Sequence, residues 1–228
     1  MPFRAVGTLV LVPARIEGGP ERWYILDTGA GINVLDRAVA DSLGLFGGAA
    51  LNAVGTGGVV PAVMLADLTV EVGGAGATKQ RVMVLPLGPL SAQIGHPVAG
   101  VLGFDLLRLY ATTFDYVAST IRFEAPAAFV PPSDALVLPM EVVEGRPFVE
   151  AWLGRPDARP ATGHFLIDTG YDGAVSLNTP FVDAHGILSG LTASQPTSVG
   201  GVGGAAASVV GRLDGFGIGP LRLSLIHI

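Results

Sequence analysis

An internal repeat constrains the fold of this chain more than any other feature. The tripeptide Asp-Thr-Gly occurs at residues 27–29 and again at residues 168–170, each time directly after a pair of apolar residues. The likeness continues downstream, where residues 41–45 (DSLGL) correspond to residues 183–187 (DAHGI). A short motif can recur by chance, but two copies whose flanking sequences also match indicate a duplication. The chain is therefore predicted to fold as two related halves.

Each half also carries a glycine-rich segment at a comparable distance from its Asp-Thr-Gly. Residues 53–58 (AVGTGG) correspond to residues 198–204 (SVGGVGG), with a small insertion in the second copy. Glycine-rich loops can cradle phosphates, but these lack the Lys-Ser/Thr of a P-loop and the strand-to-helix context of a dinucleotide site. The segments are predicted to be tight hairpins.

The distribution of glycine, proline and apolar residues favours a mainly β structure. The chain has 33 glycines and 17 prolines, with short apolar runs between them, a pattern typical of short strands and tight turns. Strands are predicted for GTLVLVPARI, RWYIL, LADLTVEVG, KQRVMVLPL, TTFDYVASTIRF, ALVLPMEVV and RPFVEAWLG. Short helices are predicted at residues 36–45, 104–110 and 179–187, with Asp36 capping the first and Thr179 capping the last.

Composition excludes several classes of protein. With 50% hydrophobic residues, the 228-residue chain can bury a substantial core. A net charge of −6 and the lack of a basic run argue against nucleic acid as a partner. The chain has no cysteine, its four histidines lack metal-ligand spacing, and no apolar run is long enough to span a bilayer. We expect no metal and no cofactor.

The first seven residues lack the features of a secretion signal, which leaves the localisation open.

Two aspartates from related loops suggest a specific chemistry. Two carboxyl groups about 3 Å apart cannot both ionise, so they share one proton. The ionised group can take a proton from a bound water while the protonated group polarises a carbonyl, which suits hydrolysis of a peptide bond. Asp27 and Asp168 are therefore the candidate catalytic pair.

The two residues after each aspartate suit this arrangement. Gly29 and Gly170 lack side chains, so the two loops can approach each other closely. The hydroxyl groups of Thr28 and Thr169 can donate hydrogen bonds across the pair and lock the loops together. The whole tripeptide thus fits a symmetric interface between two halves.

The chain resembles the pepsin and retropepsin superfamily of aspartic proteases, with two retropepsin-like lobes in tandem. The first half carries YILDTGAGINVLD, the hairpin AVGTGGVV and GVLGFDLL, an apolar-apolar-Gly segment before a short helix. The second half carries FLIDTGYDGAVSLN and SVGGVGGAA. The resemblance implies a mainly β fold of two homologous retropepsin-like (acid protease) β-barrel lobes with short helices.

The resemblance also implies a division of the chain and an assembly state. Residues 1–124 are predicted to form the first lobe, residues 125–135 a proline-containing linker, and residues 136–228 the second lobe. Because the second lobe lacks a counterpart of GVLGFDLL, we expect it to be incomplete and this chain to be poorly stable and weakly active or inactive. The segment LSLIHI at residues 223–228 is interpreted as the translation of a sequencing adapter. Two half-sites in one chain imply a monomer.

Site residues follow from the resemblance position by position. It implies that Asp27 and Asp168 are catalytic and that Thr28, Gly29, Thr169 and Gly170 support them. It implies substrate-binding or flap positions for Ala30, Tyr171, Asp172, Val54, Gly55, Thr56, Gly57, Gly58, Val199, Gly200 and Gly201. The substrate implied is an extended peptide or protein segment that pairs with strand edges between the lobes.

Three functions stay open on the sequence. The first is an aspartic endopeptidase. The second is an inactive descendant that binds or scaffolds a peptide, favoured by Tyr171, which stands where the family usually has Ala, Ser or Thr. The third is an oligomerisation module. Asp172 is interpreted either as a brace for the loop or substrate, or as an ordinary turn residue.

Overall fold

The computed structural model describes residues 1–154, 159–191 and 194–227, and strands dominate it. The mainly β class predicted from the sequence is confirmed. The strands are β1 (Arg4–Val6), β2 (Leu9–Ile16), β3 (Arg22–Leu26), β4 (Asn33–Asp36), β5 (Ala49–Gly55), β6 (Gly58–Val72), β7 (Ala75–Leu85), β8 (Gly100–Leu102), β9 (Ala111–Asp115), β10 (Thr120–Glu124), β11 (Glu141–Val143), β12 (Arg146–Gly154), β13 (Ala161–Leu166), β14 (Ser194–Gly201), β15 (Gly204–Ile218) and β16 (Leu221–His227). The helices are α1 (Arg37–Ser42), α2 (Gly88–Ile94), α3 (Phe104–Leu107) and α4 (Thr179–His185), with 3-10 turns at Pro126–Ala128 and Leu188–Gly190.

The N-terminal part of the chain forms an eight-stranded sheet in the order β1-β2-β3-β8-β4-β7-β6-β5. An additional pairing between β2 and β6 curves this sheet back on itself. Strand β8 lies between β3 and β4, parallel to β3 and antiparallel to β4. Two clusters of buried apolar side chains cover opposite faces of this sheet, since alternate residues of β2 and β3 belong to different clusters. Burial of this apolar surface is the main stabilising contribution to the N-terminal part.

The C-terminal part forms a six-stranded sheet around a smaller core. Strands β11, β12, β15 and β14 follow one another across it, with β13 paired to β12 and β16 paired to β15. Its buried cluster includes Leu153, Val175 and Phe216. Strands β9 and β10 form a separate hairpin, and residues 125–135, the predicted linker, are exposed and contain no strand.

The helix predictions are confirmed in position, with one correction. Asp36 caps α1, since its Oδ1 accepts hydrogen bonds from the backbone N–H groups of Ala38 and Val39 at 3.0 and 3.4 Å. The predicted cap of α4, Thr179, is wrong. Asn178 has extended backbone angles and accepts a hydrogen bond from Phe181 N–H at 3.2 Å, so the helix is capped one residue earlier. Helix α2 was not predicted.

Several strand predictions are too long. GTLVLVPARI begins in the turn before β2, and TTFDYVASTIRF contains the turn at residues 116–119 between β9 and β10. The segment ALVLPMEVV was predicted to be extended throughout, but only Glu141–Val143 pairs, with β12. Pro139 lies in the unpaired portion, and proline has no N–H to donate to a ladder. Leu223–His227, from the segment interpreted as adapter-derived, belong to β16, which pairs antiparallel with β15. Ile228 lies outside the described residues, and the interpretation of this segment stays a prediction.

Across the ranges that the structure describes, no helix combines the length and apolar character required to cross a bilayer.

Candidate active site

The first Asp-Thr-Gly follows the buried end of β3. Residues 24–26 of β3 are buried, and Asp27 comes directly after them. The Asp27 N–H donates to the Leu102 carbonyl of β8 at 3.0 Å, which fixes the start of the loop. Gly103 N–H in turn donates to the buried Asn33 side chain at 2.9 Å. Strand β8 therefore supports the Asp27 loop from beneath.

The second Asp-Thr-Gly follows β13 with one residue between. That residue, Ile167, donates its N–H to the Pro147 carbonyl at 2.9 Å. Asp168 is more exposed than Asp27, which is half-buried. The sequence places the two aspartates in equivalent positions, whereas the structure gives them unequal surroundings.

The two loops meet, and each aspartate lies over the glycine of the other loop. A Cβ atom on Gly29 would lie 2.5 Å from Asp168 Cγ, and a Cβ atom on Gly170 would overlap the Asp27 carboxyl group. The two carboxyl groups are hydrogen bonded to each other. The structure thus brings together residues 141 positions apart, as the repeat predicts.

The two threonines hold the loops together through four crossed hydrogen bonds. Thr28 Oγ1 donates to the Ile167 carbonyl at 2.6 Å and accepts from Thr169 N–H at 3.0 Å. Thr169 Oγ1 donates to the Leu26 carbonyl at 2.7 Å and accepts from Thr28 N–H at 3.1 Å. Both hydroxyl groups act as donor and acceptor at once, so the contact specifies the relative position of the two loops.

Backbone N–H groups orient the carboxyl groups. Asp27 Oδ1 accepts from Gly29 N–H at 2.7 Å and from Ala30 N–H at 3.0 Å. Asp168 Oδ1 accepts from Gly170 N–H at 2.8 Å. These bonds leave the other oxygen of each carboxyl group available to its partner or to a bound water.

The Asp27 side chain has a strongly raised pKa. Burial is the largest cause, followed by the negative charge of Asp168 and the hydrogen bond between the two carboxyl groups. Together these effects raise the pKa of Asp27 from 3.8 to about 7, against the opposing effect of the two backbone N–H donors. A carboxyl group that stays protonated near neutral pH can act as a general acid.

The two glycine-rich segments form hairpins whose tips touch. Val54, Gly55 and Gly58 belong to the ends of β5 and β6, with Thr56 and Gly57 in the turn. In the second hairpin, residues 199–201 end β14. Gly57 N–H donates to the Val202 carbonyl at 3.0 Å. A Cβ atom on Gly55 would overlap Val202, so the close approach of the tips requires glycine there.

The residues after the two Asp-Thr-Gly motifs have different surroundings. Ala30 packs against the N-terminal core. The Tyr171 ring lies over Gly173, where a Cβ atom would be 2.6 Å from Tyr171 Cε1. Asp172 Oδ1 accepts hydrogen bonds from the N–H and the hydroxyl group of Thr8, both at 2.9 Å. Of the two interpretations of Asp172, this contact favours a brace for the loop.

In each half, a turn between two strands contacts the loop that follows the Asp-Thr-Gly motif of the other half. Thr8, in the turn between β1 and β2, holds the loop after the second motif through Asp172 and also donates to the Tyr171 carbonyl at 3.0 Å. The turn between β11 and β12 packs against the loop after the first motif, where a Cβ atom on Gly31 would lie 3.0 Å from the Glu144 carbonyl oxygen. Thr8 is not among the site residues predicted from the sequence, and no local pattern marks it.

A cavity of about 590 Å³ lies beside Asp168. Tyr171 and the hairpin residues Thr56 and Val199 are at its edge, and aromatic side chains line it. These aromatic residues are Phe148, Phe165, Phe181 and Phe216. Within the described ranges, no group of three or more His, Asp or Glu side chains could hold a metal ion.

The crossed threonine contact gives a testable consequence for stability. We expect Thr169→Val to lower the free energy of unfolding by about 1–3 kcal/mol, because it leaves the Leu26 carbonyl and the Thr28 N–H without their side-chain partner. Chemical denaturation measures the change. Thr169→Ser is the control, since it keeps the hydroxyl group. An unchanged free energy of unfolding in Thr169→Val would show that these hydrogen bonds do not stabilise the contact.

Comparison with protein families identifies the N-terminal part of the chain. No curated protein matches the chain. Residues 12–106 match the family model described as Aspartyl protease. The matched segment runs from β2 into α3 and contains Asp27, the first glycine-rich hairpin and β8. The resemblance inferred from the sequence is confirmed for this segment.

Proposed function

We propose that the chain is an aspartic endopeptidase with a two-aspartate site. Residues 12–106 match an aspartyl protease domain, so a protease function is the general expectation. Asp27 and Asp168 are the proposed catalytic residues. The proposal rests above all on the mutual contact of the two Asp-Thr-Gly loops, in which the carboxyl groups bond to each other and the threonines cross-link their backbones.

The proposed reaction uses one proton shared by the pair. The ionised carboxylate takes a proton from a water molecule, whose oxygen attacks the peptide carbonyl carbon, while the protonated carboxyl group donates to the carbonyl oxygen. The tetrahedral intermediate then collapses as a proton passes to the amide nitrogen and the C–N bond breaks. The products are a carboxylic acid and an amine, and no covalent enzyme intermediate forms. The pair titrates as a unit, so the two roles belong to the dyad.

We propose a bilobal organisation for this site. Residues 1–124 form one lobe and residues 136–228 the other, joined by residues 125–135. Separate hydrophobic clusters in the two sheets support this division. Each proposed lobe contributes one aspartate, one threonine and one glycine-rich hairpin, so a monomer contains both half-sites.

The proposed substrate is an extended peptide between the dyad and the hairpins. Val54 is 82% exposed near the tip of the first hairpin, and Thr56 lies at the edge of the cavity beside Asp168. Strand edges can hold a peptide backbone by hydrogen bonding, while pockets select its side chains. Ala30, Tyr171 and the hairpin residues 54–58 and 199–201 are the proposed substrate contacts.

A peptidase assay across pH tests the proposal. We expect cleavage of a mixed peptide library to fall as the pH rises through about 7, because the dyad then loses its shared proton. The raised pKa also makes the folded chain bind more protons than the unfolded chain between pH 3.8 and about 7, so the contribution of Asp27 to the free energy of unfolding decreases as the pH rises through this window. Cleavage that increases steadily above pH 8 would contradict a shared-proton mechanism.

A second candidate function is peptide binding without catalysis. Tyr171 favours it, since its ring occupies space over Gly173 at the edge of the cavity, where the family usually has a small side chain. Under this alternative the same cleft binds a peptide that is never cut.

A further inference from the structure

Two amide side chains are buried in the otherwise apolar interior of the N-terminal half. Asn33 in β4 is 1% exposed, and Gln80 in β7 is 5% exposed. Asn33 Nδ2 donates a hydrogen bond to Gln80 Oε1 at 3.2 Å. A buried amide group lowers the stability of a fold unless its donors and acceptors are paired. The partners of these two side chains therefore indicate what the pair contributes.

The two side chains form a chain of hydrogen bonds between two backbone groups. Gly103 N–H donates to Asn33 Oδ1 at 2.9 Å, and Gln80 Nε2 donates to the Thr78 carbonyl at 3.2 Å. A backbone N–H can only donate and a carbonyl can only accept, so the orientation of both amide groups is fixed. All three bonds point from Gly103 toward Thr78, and bonds arranged in this way strengthen one another. We call this chain of bonds the amide relay.

Gly103 is the middle of the segment that holds the Asp27 loop. The Leu102 carbonyl accepts the Asp27 N–H at 3.0 Å, and Phe104 N–H donates to the Ala30 carbonyl at 2.8 Å. The contact is close, since a Cβ atom on Gly103 would lie 2.5 Å from the Ala30 carbonyl oxygen. The two neighbours of Gly103 therefore hold the two ends of the loop. A shift of Gly103 moves both of these anchors.

The same loop orients the Asp27 carboxyl group. Ala30 N–H donates to Asp27 Oδ1 at 3.0 Å, and the carboxyl group is bonded to that of Asp168. The amide of Asn33 is thus linked to this carboxyl group through Gly103 and the loop. Its effect on the aspartate is indirect.

The matching position in the second half is apolar. By the repeat, Leu35 corresponds to Leu177, so Val175 stands at the position of Asn33. Val175 is buried in the apolar cluster of the C-terminal part. An apolar side chain is therefore accommodated at this position of the repeat. Burial alone does not account for an asparagine in β4.

We propose that Asn33 is a positioning residue for Asp27 and that Gln80 fixes the orientation of its amide group. This inference rests on the proposed function, because it concerns the same pair of aspartates. The amide relay holds the Gly103 backbone where the Asp27 loop brings its carboxyl group against Asp168. Neither amide side chain takes part in the chemistry of the peptide bond.

The first test replaces Asn33 by Leu, which has a similar size and cannot form the relay. We expect kcat to fall at least about tenfold with KM changed less than about twofold, because the reacting groups are displaced while the substrate contacts remain. The activity should also decline at a lower pH than in the unmodified chain. A looser loop weakens the contact with Asp168, so the pKa of Asp27 moves back toward its ordinary value.

Two further variants separate positioning from general damage to the fold. Gln80→Leu keeps the acceptor of Gly103 N–H but frees the Asn33 amide, so we expect a smaller loss of kcat. The double variant Asn33→Leu, Gln80→Leu should lose no more than Asn33→Leu alone, because both residues act through one bond. Tyr110→Phe is the matched control. It removes hydrogen bonds of 3.0 and 2.6 Å to the Gly76 backbone in the same half and should leave kcat and the pH profile unchanged.

Amide hydrogen exchange, measured by NMR on the full chain, tests the position of the loop without any assay of activity. We expect faster exchange of the Asp27 and Phe104 amides in Asn33→Leu and unchanged exchange in Tyr110→Phe. If Asn33→Leu fails to fold, Gln80→Leu gives the same comparison.

Three results would overturn the proposal. The first is unchanged exchange of these two amides in the folded variants of Asn33 and Gln80. The second is a double variant whose loss of kcat equals the product of the two single losses, and the third is an equal loss of kcat in Tyr110→Phe. If the unmodified chain cleaves no peptide, the proposed function fails. The exchange rates then still decide whether Asn33 positions the Asp27 loop.

Discussion

Replacing Asp27 by Asn is expected to reduce peptide cleavage by about 10³-fold or more. The amide cannot carry the proton that the dyad shares, while its size and most of its contacts stay the same. The loop should therefore keep its position, with Thr28 still bonded to the Ile167 carbonyl. The measurement is the rate of cleavage of a defined peptide, compared with the unmodified chain at the pH of its highest activity.

Asp41→Asn is the matched control for this change. Asp41 lies exposed in α1, so the same substitution there should leave cleavage unchanged. The double variant Asp27→Asn, Asp168→Asn provides the decisive contrast. Cleavage that persists in purified double variant would refute the dyad assignment.

The Asp27→Asn variant also distinguishes the three possible functions. An endopeptidase should lose cleavage on Asp27→Asn and retain most of its affinity for a peptide. A non-catalytic binding protein should show peptide affinity and no cleavage before or after the change. An oligomerisation module should show neither cleavage nor peptide affinity, and its assembly should be insensitive to the substitution.

Replacing Gly29 by Ala is expected to lower activity by at least about 10²-fold, the scale found when reacting groups are displaced by about 1 Å. A Cβ atom at this position would lie 2.5 Å from Asp168 Cγ and 2.6 Å from Oδ2, so the two carboxyl groups must move apart. The shared hydrogen bond would lengthen, and the pKa of Asp27 would move back toward its ordinary value. Activity and its pH profile measure the two effects.

Gly88→Ala is the control for the loss of glycine itself. Gly88 begins α2, and a Cβ atom there meets no other atom within 4 Å. We expect unchanged activity for this variant. If Gly29→Ala also left the activity unchanged, the conclusion that the two loops are in close contact would be wrong.

Much of the first half could be predicted because its pattern is local. A buried strand, a turn rich in Asp and Gly and a short helix are each encoded within a few residues, and RWYIL forms β3 with the predicted bounds. Asp36 was identified as a cap because its side chain and the following apolar positions are adjacent in sequence. The repeat then indicated which loops pair, although they are far apart in the chain.

The remaining features depend on contacts that no local pattern specifies. Thr8 braces the second loop only because the turn between β1 and β2 reaches Asp172. Helix α2 carries no side-chain cap, although Pro89 near its start and Gly95, with a φ of 68° at its end, are signals that could have indicated it. Asp27 is anchored to β8 through the Leu102 carbonyl, although the sequence places β8 far from the Asp27 loop. Propensity and spacing do not report such long-range packing.

The crossed threonine contact bears on the order in which the molecule folds. Thr28 and Thr169 are separated by 141 positions, and each bonds to the backbone just before the opposite motif. Contacts of such high sequence separation carry a large loop-closure entropy and form after local hairpins and helices. The two sheets can therefore assemble while the aspartates are still apart. During refolding, secondary structure should return first, and the shared-proton pair should form only in the final docking step.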